Sequence, residues 1–209
     1  MTILCYKEYI ASLMSSLKWR HFGVGALQAY LYEGPTFEQR IHIWHPDLVK
    51  PGIQGFGDLH NHRFSFLSHV IYGSLENHVY VTEECSESEA SHNIYEVENA
   101  RAARDRLSGI HQKILYHGEY SKVGHCLAKL AVIRQVNDWQ TYEFLRGEYH
   151  RTVVPFGMAI SIVTKFDQQR IRARILCPRN EQLVHAFDTP ASDSKIQEIV
   201  KEARQRLHD

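Results

Sequence analysis

The sequence is poor in the features that would place it in several protein classes. It has four cysteines, far apart and without a C-x-x-C pair, so neither a disulfide framework nor a cysteine zinc clamp is expected. It has no run of 18 apolar residues and no secretory leader, so we expect neither membrane association nor export. Lysine plus arginine equals aspartate plus glutamate, at 24 each, and nucleic acid is therefore not an expected partner. These absences predict a cytoplasmic protein with reduced thiols.

What the sequence has in excess is histidine. Fourteen of the 209 residues are histidines, while apolar residues (44%) and charged residues (23%) have shares typical of a soluble globular chain. The length fits one domain with a sizeable core of its own. The positions of the histidines therefore become the main question about function.

Short apolar and aromatic segments separated by turn residues predict a mainly β protein. The predicted strands cover 26–32, 40–44, 59–72, 75–82, 112–117, 125–136, 139–146, 149–154, 158–165 and 171–177. Helical spacing of apolar residues predicts helices over 6–18, 96–108 and 194–207, the last with Ser194 as its N-cap. The acidic stretch 83–93 is interpreted as an exposed loop. Many short strands with helices at the ends favour a single β-sandwich or barrel.

An H-x-H pair, His60 and His62, is the strongest chemical signal. Residues two apart in a strand project from the same face, so a strand here would aim both imidazoles at one point. Two neutral ring nitrogens can then bind one divalent metal. The same alternation places Phe64 and Phe66 on the histidine face. The alternative interpretation is two strand-end histidines that are hydrogen-bonded to backbone or water.

A second histidine, His150, opens an apolar strand three residues after Gly147. The glycine supplies a turn, and the histidine then enters the sheet at its rim. Because this segment lies in the other β-rich half of the chain, it could close over the H-x-H pair.

These two segments together resemble the motifs of the cupin superfamily. The first cupin motif matches Gly57, His60, His62 and Gly73, and the second matches Gly147 and His150, with Leu145 in place of proline. The resemblance covers about 25–177 and implies a cupin barrel, a double-stranded β-helix of the RmlC-like jelly-roll type. The prediction is one domain over 1–209, with the helices at its ends and an insertion at about 83–111.

The chain departs from the family pattern at the acidic ligand. Its place, seven residues before Gly73, is taken by Phe66. The remaining set of His60, His62 and His150 resembles the cysteine-dioxygenase-type cupins. That resemblance implies Fe(II) as the cofactor, with Zn, Ni or Mn as other possibilities. Three neutral ligands leave the metal site cationic, which suits a small anionic or chelating ligand.

Further candidates surround this predicted centre. Three tyrosines are candidates for assisting proton transfer: Tyr72, Tyr142 and Tyr149. Residues expected to line the substrate pocket are Trp44, Phe64, Phe66 and Asn77. His45 is a candidate fourth ligand, or a partner that orients the ligands, against the alternative of a hydrogen-bonded histidine at the barrel rim. Strand alternation places Asn77 inward and His78 outward.

Three functions remain open from the sequence. The first is a mononuclear Fe(II) dioxygenase acting on a small anionic or thiol substrate. The second is a small-molecule-binding or regulatory cupin without catalysis, and the third is an interaction protein that keeps only the barrel. An open barrel edge and the terminal helices favour a homodimer.

Overall fold

The computed structural model describes residues 3–22, 25–48, 59–97, 120–169, 171–181 and 192–208. These ranges contain two α-helices, one 3-10 turn and eleven strands. The helices are α1 (Ile3–Met14) and α2 (Asp193–His208), and the 3-10 turn is Pro46–Leu48. The strands are β1 (Arg20–Phe22), β2 (Ala26–Glu33), β3 (Glu38–Trp44), β4 (Ser65–Tyr72), β5 (Leu75–Glu84), β6 (His92–Val97), β7 (Tyr120–Val136), β8 (Thr141–Phe144), β9 (Tyr149–Val153), β10 (Ala159–Phe166) and β11 (Ala173–Pro178).

The strands form two sheets of antiparallel neighbours. One sheet has the order β1-β2-β3-β10-β4-β8 and the other has the order β11-β6-β7-β5-β9. From β7 to β11 each successive strand belongs to the opposite sheet, so the chain crosses repeatedly between the two. This connectivity is that of a jelly roll. The predicted mainly β fold of the cupin jelly-roll type is confirmed.

Each face of the first sheet contributes to a different core. Ile41 and Ile43 face the helices, where they pack with buried residues of α1 and α2 such as Met14 and Ile199. Trp44 packs on the opposite face, toward the second sheet, in a barrel core with Val70 and Leu75. The helices therefore cover the outside of the first sheet, while its inner face lines the barrel.

The second sheet curls because β7 is long enough to serve two partners. Its first part pairs with β6 and its later part pairs with β5. The short segment 59–61, which we call the seam, then bridges β9 and β11 at His60. The sheet closes on itself as a result and encloses its own apolar cluster, the ring core, which includes Leu59, Cys126 and Leu176.

Several predicted boundaries are wrong. Residues 59–64 are not part of β4, which begins at Ser65, and β6 occupies 92–97 where a loop and the start of a helix were predicted. Strand β6 was not predicted because its sequence is polar, although it is an interior strand paired with both β7 and β11. Strand β1 was not predicted. The remainder of the predicted helix 96–108 and the strand 112–117 lie outside the described residues.

The ends of both helices also differ from prediction. Helix α1 spans Ile3–Met14 rather than 6–18, and the Trp19 indole N–H donates to the Met14 carbonyl at 2.9 Å, just past the helix end. The cap of α2 is Ser192 rather than Ser194, since the Lys195 amide donates to the Ser192 hydroxyl at 3.2 Å. Neither helix is long and apolar enough to cross a bilayer.

Candidate metal centre

Three histidine side chains converge inside the barrel. The ring centroids of His60 and His62 lie 4.7 Å apart. The ring centroid of His150 lies 5.0 Å from that of His60 and 5.1 Å from that of His62. One ring nitrogen from each residue lies within 4.8 Å of the others. The structure therefore brings together the three histidines that the two sequence motifs predicted to share a site.

Paired backbone hydrogen bonds set His60 against His150. The His60 amide donates to the His150 carbonyl at 3.1 Å, and the His150 amide donates to the His60 carbonyl at 2.9 Å. Residues that exchange both bonds are direct neighbours in an antiparallel ladder, so their side chains lie on the same face. The ladder thus fixes two of the three imidazoles relative to each other.

The opposite edge of the seam is held by β11. The Leu176 amide donates to the Leu59 carbonyl at 2.8 Å, and the Asn61 amide donates to the Arg174 carbonyl at 2.9 Å. The Asn61 side-chain oxygen also accepts a 2.7 Å hydrogen bond from the Arg174 amide. Asn61 is therefore a positioning residue, because it fastens the chain between the two histidines to the neighbouring strand.

His62 is positioned by a glycine turn. Its carbonyl accepts a 3.1 Å hydrogen bond from the Gly147 amide. Gly147 has φ +87°, a left-handed conformation that glycine adopts without a Cβ penalty. This glycine lies three residues before His150, so one turn connects the second motif to both members of the first.

The imidazole rings of His60 and His62 lie together, but strand alternation, the predicted reason, is not what aligns them. The prediction relied on a continuous strand over 59–72, whereas the chain leaves the sheet between the seam and β4. The alignment comes from the backbone bonds of the seam and from the Gly147 turn rather than from unbroken strand alternation.

Aromatic rings enclose the histidines. Phe64 stacks on His62 with centroids 4.7 Å apart, and Phe144 stacks on His150 at 4.0 Å. Phe66, in the place of the family's acidic ligand, has its ring 5.2 Å from that of His62 and 5.8 Å from that of His150. The convergent group of described ligands contains no carboxylate, and its surroundings are apolar.

Burial keeps two of these imidazoles neutral. It lowers the pKa of His62 well below the ordinary 6.5, and the neighbouring His60 and His150 lower it further. Burial and then His60 lower the pKa of His150 in the same direction. A backbone hydrogen bond with Glu148 opposes this shift in part. Neutral imidazoles with available lone pairs are the form that binds a divalent metal, so these residues fit such an ion.

The predicted pocket residues lie inside the same barrel. Tyr142 packs edge-on against Phe66, with centroids 6.2 Å apart, and its hydroxyl faces Ser68 and Asn77. Burial raises the pKa of Tyr142, so the phenol keeps its proton. Asn77 is fully buried and accepts a 2.9 Å hydrogen bond from the Thr152 hydroxyl. Trp44 donates to the Ser161 hydroxyl at 3.1 Å.

The structure does not bring the other two tyrosines to the histidines. Tyr72 packs against the helix-side core, on the outer face of the first sheet. Tyr149 points into the ring core, since it precedes His150 on β9 and projects from the other face. Their predicted role in proton transfer at the histidines is not supported by these positions.

The candidate fourth ligand His45 and the outward-predicted His78 both lie apart from the centre. His45 approaches Glu202 of α2, with Nε2 and Oε2 3.4 Å apart, and accepts a hydrogen bond from the Asp47 amide at 3.1 Å. His78 lies on the face of β5 opposite Asn77, 3.2 Å from a carboxylate oxygen of Glu76. Neither belongs to the convergent group among the described residues.

Two interior residues were not predicted to border this site. Phe144 forms the tightest ring contact with His150, at 4.0 Å between centroids. Lys165, at the end of β10, holds its ammonium 4.2 Å from the Phe64 ring centroid. Strand alternation from the apolar part of β10 would have placed Lys165 inward, but a lysine ending a strand ordinarily indicates solvent.

We predict that the metal-free protein loses stability as the pH falls below 6.5. Burial, and then the nearby Arg40 and Lys165, also lower the pKa of His42 well below 6.5. With His42, His62 and His150 all depressed, the unfolded state binds more protons below that pH, so acidification favours unfolding. Each histidine contributes at most about 1.4 kcal/mol per pH unit.

Urea midpoints measured above and below pH 6.5 test this expectation. His150→Phe keeps an aromatic ring beside Phe144 and should reduce the pH dependence. His208→Gln, at an exposed position of α2, should leave it unchanged. An unaltered pH dependence in the His150→Phe variant would contradict the neutral buried imidazole.

Comparisons with known proteins give similarity at the level of structure. No protein-family model matches the chain, and no curated protein matches it. An RmlC-like cupin from Shewanella frigidimarina is 15% identical over 75% of this chain and 87% of its own, with a TM-score of 0.40. The polyketide cyclase RemF from Streptomyces resistomycificus is 11% identical over 84% of this chain and 87% of its own, with a TM-score of 0.43. A cupin 2 domain-containing protein from Halorhodospira halophila is 11% identical over 88% and 83%, with a TM-score of 0.27.

The similar solved structures thus include RmlC-like and cupin 2 proteins. Their identities and TM-scores are low, so no reaction or substrate is transferred from them to this chain.

Proposed function

We propose that the protein binds one divalent metal ion through His60, His62 and His150, and that in its iron form it is a dioxygenase for small anionic or thiol-bearing substrates. The observation that carries the proposal is the convergence of three imidazoles whose ring nitrogens lie within 4.8 Å of one another, without a carboxylate in the described group. Imidazole is a ligand for iron, zinc, nickel and copper ions alike, so the donor set supports a transition metal rather than magnesium or calcium.

The charge of this donor set favours an anionic substrate. Three neutral imidazoles leave the full positive charge of a divalent ion uncompensated, because Phe66 stands where a carboxylate would reduce it. The apolar rings of Phe64, Phe66 and Phe144 strengthen the attraction by excluding water around the site. A thiolate or carboxylate is therefore a better complement to the site than a neutral molecule.

The number of ligands supports oxygen chemistry more than acid–base chemistry. An iron bound by three protein ligands supplies open positions and Lewis-acid and redox chemistry. The overall conversion of a thiolate and dioxygen to a sulfinate balances without an external reductant. An isomerase would need a placed acid and base, and Tyr142, which keeps its proton, supplies a hydrogen-bond donor rather than a base.

We expect tag-free protein to retain about one transition-metal ion per chain. His60→Ala, His62→Ala and His150→Ala should each reduce metal retention at least tenfold, because each removes one of three ligands. Inductively coupled plasma mass spectrometry after dialysis measures the content. His78→Ala provides a matched control on the outer face of the adjacent strand and should retain the metal. Full occupancy in the triple alanine variant would contradict the assignment.

We expect the iron-loaded protein to consume dioxygen with the substrate class proposed above. Small thiols and chelating acids are first screened for binding by thermal shift, and each compound that binds is tested in an oxygen electrode. Uptake should occur with iron, fall to background with zinc, and be lost in His60→Ala. Ligand binding without oxygen uptake in the iron form would contradict the dioxygenase and support a binding protein.

A further inference from the structure

A buried lysine lies beside the candidate metal centre. Lys165 is the last inward-facing residue of β10, and only 12% of its side-chain surface is exposed. Its ammonium lies 4.2 Å from the centroid of the Phe64 ring, and that ring stacks on His62 at 4.7 Å. The ammonium therefore lies within about 9 Å of the centre of the His62 ring.

One carboxylate, that of Glu38, lies against two buried cationic side chains next to Phe64. Glu38 on β3 lies 3.2 Å from Nζ of Lys165 and 2.5 Å from Nε of Arg40. Its pKa is lowered, because the charges of Lys165 and Arg40 outweigh the effect of burial. With Lys165 protonated, the three side chains would carry one net positive charge inside the barrel, which is costly unless an anion completes it.

Two guanidinium nitrogens of Arg40 donate to side chains of β2, whereas the ammonium of Lys165 contacts only Glu38 and Phe64 among the described residues. The guanidinium of Arg40 contacts Glu38, donates to the Gln28 side-chain oxygen at 3.0 Å and donates to the Tyr30 hydroxyl at 2.9 Å. The ammonium of Lys165 has three N–H donors, and its described contacts are the single Glu38 oxygen and the Phe64 ring. Lys165 thus keeps donor capacity for a further acceptor in the barrel.

We propose that Lys165 anchors a second anionic group of the substrate held at the three-histidine site, with Arg40 and Glu38 as positioning residues. The substrate class is then a small acid with a metal-chelating end and, a few bonds away, a carboxylate-sized anion. This inference rests on the proposed metal-binding function. Phe64 lies beside both the ammonium and His62, so the chain joining the two ends of the ligand passes along its ring.

The surrounding charges support an anion at this point. Burial and the positive charge of Arg40 lower the pKa of Lys165 well below its ordinary value, and Glu38 opposes them only in part. An anionic group would reduce the cost of keeping the ammonium charged. If the cluster served only to join β3 to β10, a ligand carboxylate would gain nothing from Lys165.

A pair of matched acids tests the proposal by isothermal titration of zinc-loaded protein, which needs no turnover. The probes are 2-hydroxyglutarate and 2-hydroxypentanoate, which share the chelating hydroxy-acid end and differ by a carboxylate against a methyl at the other. We expect 2-hydroxyglutarate to bind at least about tenfold tighter, as a hydrogen bond to a charged group implies. Lys165→Met should remove this preference, and Lys129→Met, at an exposed position of β7, should retain it.

Replacing the Glu38 carboxylate with an uncharged amide of the same shape provides a second, opposite readout. Glu38→Gln releases Lys165 from its internal anion, so 2-hydroxyglutarate should bind more tightly than to the wild type. General damage to the barrel would weaken binding in both variants instead. If Lys165→Met fails to fold, the absence of tighter binding in Glu38→Gln overturns the proposal by itself.

The failure of this inference can be distinguished from failure of the metal-binding proposal. Equal affinity for the two acids in zinc-loaded wild type, or a preference that survives Lys165→Met, overturns the role of Lys165 and leaves the metal site standing. A protein that binds no metal overturns the proposed function. The same titration of the metal-free protein then decides on Lys165, since an anion anchor still favours the diacid and equal affinities contradict it.

Discussion

The arrangement of the site depends on a segment of three residues that is hydrogen-bonded on both edges. Residues 59–61 pair with β9 through His60 and with β11 through Leu59 and Asn61. Because both edges are used, the segment has little freedom to shift or rotate. The same pairing closes the second sheet around the ring core and sets His60 directly against His150. The pairing that closes the sheet is therefore also the pairing that places His60 beside His150.

This closure also separates two interiors with different chemistry. On the barrel side, His150 faces a cluster that includes Phe66, Val79 and Phe144. On the ring-core side, the neighbouring Tyr149 packs with Cys126 and apolar residues, and burial raises the pKa of that thiol to about 11. A thiol in this state is a poor nucleophile. The histidines and polar residues of the candidate site thus lie on the barrel side, and the ring core supports them by apolar packing on the other side.

Local pattern was sufficient for a mainly β sandwich or barrel, because turn residues and apolar alternation are local signals, and the resemblance to two family motifs then brought the three histidines together. Local pattern was insufficient where contacts with residues distant in the sequence determine whether a strand forms or which way a side chain faces. Strand β6 has a polar sequence and exists because β7 and β11 flank it. The positions of Tyr72 and Tyr149 could not be predicted for the same reason, since only the sheet topology reveals the faces on which they lie. The positioning role of Asn61 depends on Arg174, more than a hundred residues away.

In the proposed centre, the seam and the Gly147 turn would hold three imidazoles around one metal ion. X-ray absorption at the K-edge of the iron-loaded protein can count these ligands, since imidazole rings give a characteristic multiple-scattering signal. We expect three imidazole ligands in the wild type and two in His150→Ala. A bound metal with fewer than three imidazoles in the wild type, or an unchanged count in His150→Ala, would contradict the proposed centre.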